Sequence, residues 1–284
     1  MIEVLKTFSE FQKARDLVTE AVGVVPTMGN LHQGHISLLE KGLEKYNMMV
    51  FTIFVNPKQF GPNDDFHKYP RTLENDVELI KKSLLKFPKK KVLLFAPQDP
   101  GEIYPVGFQD QLSVLHVTKD LEGALRPGHF EGVATVVHRL FEITHPESAY
   151  FGLKDYQQYL VIRQMVKDLV MPIEVVGMPI VRETSGLAMS SRNQYLSAEE
   201  RETGLIMSRT LKEIIMTIDG KKENLPKGLT LIKEAMKDKN WNYLEIRDAY
   251  SFSLDTKHSQ KLTILGVYQL RTTRLLDNMQ TEIQ

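Results

Sequence analysis

Between residues 21 and 176, short apolar runs alternate with stretches of helical periodicity, and few folds accept that order. Residues 21–25 form an apolar run stopped by Pro26, after which Ile36, Leu38, Leu39 and Leu43 recur at helical spacing across 34–46. A second run, 48–55, stops at Asn56 and Pro57. The next helical stretch, 72–87, places Leu73, Val77, Ile80 and Leu84 on one face. Further runs at 91–95, 112–117, 149–151 and 173–176 alternate with helical stretches at 130–143 and 156–169. Strand–helix alternation of this kind predicts α/β architecture: a doubly wound parallel sheet covered on both faces, with its ligand crevice at the carboxyl ends of the strands. After Val176 the texture changes. Ser197 and Glu200 have capping-box spacing and open a helix to about residue 218, and a polar break at 220–226 separates it from a second helix ending near Lys237. Strand-like runs at 243–246 and 262–270 follow. The expected organisation is a catalytic domain over 1–176 and a smaller α+β lid domain over 177–284.

Composition narrows the class of partner. Lys and Arg total 36 and Asp and Glu total 36, so the chain lacks the basic excess of proteins built to hold a nucleic-acid backbone. Cysteine is absent, which removes disulfides, thiolate metal sites and cysteine nucleophiles. No apolar run approaches the roughly 20 residues a membrane span needs. Glu3, Lys6 and Glu10 interrupt the segment where a signal peptide would be apolar. These features lead us to expect a cytoplasmic protein with no membrane or nucleic-acid partner.

Four segments carry the types of residue that do chemistry. The first, PTMGNLHQGH at 26–35, lies between the first strand and the first helix. His32 and His35 share one side of a helical turn, and imidazoles beside a helix N-terminus suit phosphate oxygens and the charge that develops on them during transfer. The pair also fits simple capping or an adventitious metal, but a zinc site needs three or four ligands and no further histidine cluster lies nearby in sequence. The second segment, FVNPKQFG at 54–61, brings Asn56 and Gln59 to the end of a strand. Neutral amides there can hold a hydroxy acid without salt-bridging its carboxylate; alternatively they shape the turn with Pro57 and Gly61. Downstream, Glu74 and Asp76 fall in the first turns of a helix, where acids act mostly as dipole partners, and a magnesium role for Asp76 is the lesser reading. The third segment, FGLKDYQQ at 151–158, offers Gly152 for a turn, Lys154 for phosphate and Asp155 for a ribose hydroxyl or a helix cap. In the fourth, Ser190, Ser191 and Arg192 follow a Gly186 loop and suggest a mobile anion clamp.

Taken in order, and together with RPGHFEG at 126–132 and the C-terminal RLLDN at 274–278, these segments resemble the pantothenate synthetase (pantoate–β-alanine ligase) family along nearly the whole chain. That family belongs to the nucleotidylyltransferase superfamily with an H-x-G-H signature, matched here by His32, Gln33, Gly34 and His35. The resemblance implies a Rossmann-like fold, ATP as substrate, Mg2+, a homodimer, and condensation of pantoate with β-alanine through a pantoyl adenylate. It implies an ATP site lined by Met28, Gly29, Asn30, Leu31, His32, Gln33, Gly34 and His35, with His35 as proton donor. Gly152, Leu153, Lys154, Asp155, Val181, Met189, Ser190, Ser191 and Arg192 complete that site. Gln59 is implied to bind pantoate and β-alanine, and Gln158 pantoate. His32, Lys154 and Arg192 join His35 as the groups that meet phosphate charge. Asn30 and Gln33 stand where Ala and Glu are common in the family, and Asn75 precedes Asp76 where some members carry a second acid. Other readings are a superfamily member that stops after nucleotidyl transfer, a class I tRNA synthetase relative, and a catalytically inert nucleotide-binding regulator.

Overall fold

The inner strands of the first unit carry hardly any polar side chain because both of their faces are covered. In the computed structural model, which describes every residue except Asn63 and Asp65, β2 (Gly23–Thr27), β3 (Met48–Ile53) and β4 (Lys91–Phe95) send alternate side chains to opposite faces. Val25, Met49, Phe51, Val92 and Leu94 enter one core with Leu39 and Leu43 of α2 (Gln33–Lys45) and Ile80 and Leu84 of α3 (Leu73–Leu84). Val24, Val50, Leu93 and Phe95 enter the other. There they meet α1 (Phe8–Asp16), α5 (His129–Thr144) and α6 (Tyr156–Asp168). With β1 (Ile2–Leu5), β5 (Ser148–Gly152) and β6 (Glu174–Met178), the strands form a six-stranded parallel sheet in the order β1-β4-β3-β2-β5-β6. A short helix α4 (Glu122–Leu125) precedes α5.

The chain runs outward from β2 to β3 and β4, then returns to β5 on the other side of β2. That reversal is the topological switch point where such sheets bind ligands. The β2–β5 ladder joins Gly23 to Ser148 and Val24 to Ala149 and goes no further, so the two strands part toward their carboxyl ends.

The chain divides into two units, Met1–Pro179 and Ile180–Gln284. The first ends beyond the change of sequence texture because β6 continues to Met178. The second unit is an antiparallel sheet of β7 (Trp241–Asp248), β8 (Lys261–Leu270) and β9 (Thr273–Glu282), packed against α7 (Ala198–Ile218) and α8 (Leu225–Ala235). Leu205, Leu211, Ile214, Trp241 and Ile264 lie in its core. Ser197 caps α7, and its reciprocal bond with Glu200 is present. Among the described residues no helix is long and apolar enough to cross a membrane.

Two parts of the expected layout differ. Residues 112–117 form no strand: Leu112 N–H donates to the Thr135 hydroxyl and the Val114 carbonyl accepts from Thr118, so this backbone finds partners outside the sheet. The strands at each end of the chain are not marked by an apolar run. In β1, Glu3 and Val4 are exposed and only Leu5 is buried, while β9 buries Asp277 and Asn278, which break its apolar pattern.

Helix α1 is held to the sheet chiefly by Phe11, which is fully buried with its ring 4.8 Å from that of Phe95. Phe11→Ala is expected to destabilise the first unit by about 3–5 kcal/mol. A denaturant titration reporting on that unit checks it.

Candidate active site

The loop after β2 is built by one carboxylate. Asp76, on the first turns of α3 and only 1% exposed, accepts from the N–H of Asn30 at 3.0 Å, the N–H of Leu31 at 2.8 Å and the hydroxyl of Thr72 at 3.2 Å. Asn30 takes a φ of +50° there, which asparagine tolerates better than most residues. The chain then enters α2 with His32 as N-cap. The Nδ1 of His32 accepts from Gly34 N–H at 3.1 Å, and the Nδ1 of His35 accepts from His32 N–H at 3.3 Å, closing a capping box made of two imidazoles. Residue 34 is glycine because a Cβ would stand 2.8 Å from the His32 ring. The two rings lie 4.1 Å apart, centroid to centroid.

This bonding fixes the tautomers. Each Nδ1 is an acceptor, so each neutral ring carries its proton on Nε2, and neither Nε2 has a partner among the described residues. Burial, then the charge of Lys154, pushes His32 down to about 4. Burial and the neighbouring His32 push His35 down to about 3. At neutral pH both rings are therefore uncharged and present Nε2–H donors at the N-terminus of α2.

On the other side of the switch point, β5 ends at Gly152, followed by Leu153, Lys154 and Asp155. Gly152 is still extended, and a Cβ there would meet nothing within 4 Å. Asp155 occupies the N-cap position of α6 without a side-chain cap bond, and its Oδ1 accepts from Lys154 Nζ at 3.2 Å. Lys154 and Asp155 both act on the charge of His32 and His35, which places the two loops in one electrostatic neighbourhood. Gln158 is half-buried on the first turn of α6.

The segment after β3 separates the two amides that its sequence left equivalent. Asn56 is fully buried with all four of its hydrogen-bonding positions used. Its Oδ1 accepts from Lys58 N–H and Tyr104 OH, and its Nδ2 donates to the Gly132 carbonyl and to Gln59 Oε1. Asn56 is scaffold. Gln59 receives one of those bonds on Oε1 and keeps its Nε2 hydrogens for another partner. Helix α5 presses on this turn at Gly132, where a Cβ would come within 2.3 Å of the Lys58 carbonyl.

Asp76, whose lesser reading is a magnesium ligand, accepts from the loop with both of its oxygens. Among the described residues no group of three or more His, Asp or Glu side chains could hold a metal. In the second unit, the segment around Ser190 is firmly built. Asn193 donates to Glu183 and to the Ala188 carbonyl, Arg201 makes two bonds to Glu183, and Arg182 pairs with Asp277. Gly186 N–H closes a turn onto the Glu183 carbonyl, and its own carbonyl accepts from Arg182. Ser190 accepts from Arg192 N–H, and Val181 receives Met189 N–H on its carbonyl.

A model of the family described as pantoate-beta-alanine ligase matches residues 3–280. The pantothenate synthetase of Roseiflexus sp. (strain RS-1) is 43% identical over 281 residues, covering 98% of each chain. The crystal structure of the pantothenate synthetase from Thermus thermophilus superposes with a TM-score of 0.87 at 41% identity, covering 98% of this chain and 99% of that one. The pantoate-beta-alanine ligase from Francisella tularensis, solved in complex with beta-gamma ATP and beta-alanine, gives a TM-score of 0.71 at 30% identity, with 98% and 97% covered.

The depressed histidines set a pH dependence. The folded state holds His32 and His35 neutral to about 4 and 3, whereas the unfolded chain protonates near 6.5. Between those values the unfolded state binds more protons, so stability present above pH 6.5 is lost as pH falls toward 4. Chemical denaturation between pH 7 and 4.5 is expected to show this decline, and a shallower one for His35→Gln. Equal slopes would show that His35 titrates normally.

Proposed function

The chain belongs to the pantoate–β-alanine ligase family, and from that premise we propose the following course for the reaction at the switch-point site. The activity is ATP-dependent condensation of pantoate with β-alanine, giving pantothenate, AMP and pyrophosphate. A carboxylate oxygen of pantoate attacks the α-phosphorus of ATP, the bond to the bridging oxygen breaks, and pyrophosphate departs with that electron pair. The uncharged amine of β-alanine then attacks the acyl carbon of the pantoyl adenylate. The carbon–oxygen bond to AMP breaks, the nitrogen loses its proton, and the amide remains.

The observation that carries this reading is the histidine pair with two Nε2–H donors at the start of α2, beside Lys154. In a partly water-excluded site, fixed donors aimed at phosphate oxygens stabilise charge as it develops, and they do so without needing to be protonated first. His32, His35 and Lys154 are proposed to meet the triphosphate, with Met28 to Gly34 and Gly152 to Asp155 lining the nucleotide. The family resemblance supports Val181, Met189, Ser190, Ser191 and Arg192 as further nucleotide contacts, the hydroxyls and guanidinium serving as donors. Gln59 and Gln158 are proposed for pantoate, and Gln59 also for β-alanine. A neutral amide binds the acid without damping its nucleophilic carboxylate. Magnesium is proposed to arrive with the triphosphate as part of the substrate, since such ions keep several waters and lean on phosphate oxygens. The same resemblance supports a cytoplasmic homodimer, which light scattering tests.

Oxygen-18 placed in the pantoate carboxylate is expected in the phosphate of AMP, because that oxygen bridges the adenylate and stays on phosphorus when the amine attacks carbon. Label confined to pantothenate would exclude the adenylate. β-Alanine-dependent release of AMP separates this chemistry from nucleotidyl transfer alone.

Removing the His35 donor should slow adenylate formation by about 10²–10³-fold in kcat. Amide formation from supplied pantoyl adenylate should change far less, because no pyrophosphate leaves in that step. A His35→Ala protein that slows both half-reactions equally, with an unshifted melting curve, would remove His35 from this role.

A further inference from the structure

The RPGHFEG segment has no part in the chemistry above, yet its polar side chains converge on one residue of the site. Arg126, just beyond α4, forks in two directions. One arm bonds His129 Nε2 at 3.1 Å and the other bonds Asp64 Oδ2 at 2.8 Å. His129, the first residue of α5, reaches the backbone carbonyl of Gln59 through Nδ1 at 2.9 Å. Asp64 Oδ2 also accepts from Gly61 N–H at 3.0 Å. Arginine has no acceptor, so the bond from Arg126 must end on the lone pair of His129 Nε2, and the ring proton must sit on Nδ1, pointing at Gln59. Each bond in this chain therefore has one permitted direction, and its first donor carries a charge.

We infer that Arg126 and His129 are positioning residues for substrate binding, holding the peptide groups on both sides of Phe60 so that the Gln59 amide stays ordered. The inference rests on the proposed role of Gln59 with pantoate and β-alanine. The backbone of residue 59 is tied by His129, its side-chain oxygen by Asn56, and Gly61 by Asp64. What remains is the Nε2 group, fixed in direction before any ligand binds. Glutamine loses much rotamer freedom when immobilised, and a residue ordered in advance binds its ligand without that loss at the moment of association. Burial and the adjacent Arg126 keep His129 uncharged, pushing it down to about 4. That state preserves the acceptor on Nε2.

The contacts predict a KM effect confined to two of three substrates. His129→Leu removes both ring nitrogens and should raise KM for pantoate and for β-alanine by about tenfold, the scale of one ordered hydrogen bond, while KM for ATP stays within about twofold. His129→Asn restores a donor near the Nδ1 position and should recover most of the loss. If His129→Leu does not fold, Arg126→Lys serves in its place. A single ammonium retains the charge but not the two-armed fork, and it should show the same selectivity. Each variant is also made in a Gln59→Ala background with melting curves recorded. There, a clamp acting through Gln59 should add less than about twofold. An undiminished effect in that background, equal damage to the ATP KM, or no rescue by asparagine would overturn the positioning role. Gln59→Ala by itself leaving pantoate and β-alanine kinetics unchanged would instead remove Gln59 as their ligand, and the inference with it.

Discussion

The β2–β5 ladder ends after two residue pairs, and the arrangement of the first unit follows from that parting. The connection from β2 leads to α2 on one face of the sheet and that from β5 to α6 on the other, which opens a crevice outside their carboxyl ends. Because the strands part, the loop into α2 and the loop into α6 face each other across the gap, and two helix N-termini open onto the same space. Fixed dipoles and backbone N–H groups then favour negative charge there before any side chain is chosen. The residues that follow refine that preference. Asp76 shapes the first loop, His32 and His35 supply directed donors, and Lys154 supplies the charge.

The charge balance of the site depends on which of these groups stay neutral. Two imidazolium ions about 4 Å apart beside Lys154 would repel one another and leave the α2 N-terminus without its cap acceptors, since a charged histidine has no lone pair to accept with. Neutral rings remove both problems. They cap the helix through Nδ1 and present a hydrogen outward through Nε2, so one side chain serves the fold and the ligand together. The cost appears as a loss of stability at low pH and not as a loss of function at neutral pH.

Much of this was legible in sequence, and the remainder was hidden for identifiable reasons. The alternation of apolar runs and amphipathic helices revealed the parallel sheet because its inner strands are buried on both faces. Residues 112–117 carry the same apolar signal but satisfy it by packing beside α5, with Thr135 taking the backbone donor of Leu112. Periodicity cannot distinguish those outcomes. Strand β1 was hidden by its edge position, where Glu3 and Val4 face solvent. Strand β9 was hidden by Asp277, a buried acid that Arg182, 95 residues away, meets with two hydrogen bonds. The H-x-G-H spacing marked the histidines, but nothing in it shows that Asp76 holds their loop or that both rings lose their charge. Those properties come from partners distant in sequence and from burial.

A single criterion separates scaffold from ligand-facing groups across the site: whether a polar side chain uses all of its hydrogen-bonding capacity on the protein. Asn56 and His129 do, and Asp76 accepts two bonds from one loop and a third from Thr72. Gln157 behaves similarly, donating to the Val117 and Asp120 carbonyls and accepting from Glu122 N–H. Gln59, of the same residue type as Gln157, accepts one bond and keeps its donors, as His32 and His35 keep their Nε2 hydrogens. The donors on Gln59, His32 and His35 are not sealed from solvent, so each is open to a polar ligand that enters the crevice. By this argument the fully bonded residues set how accurately the crevice is shaped, and the incompletely bonded ones set what it binds. Two adjacent glutamines, Gln157 and Gln158, fall on opposite sides of that division because one helical step turns the first toward residues 117–122 and leaves the second half-exposed with its amide unclaimed among the described residues.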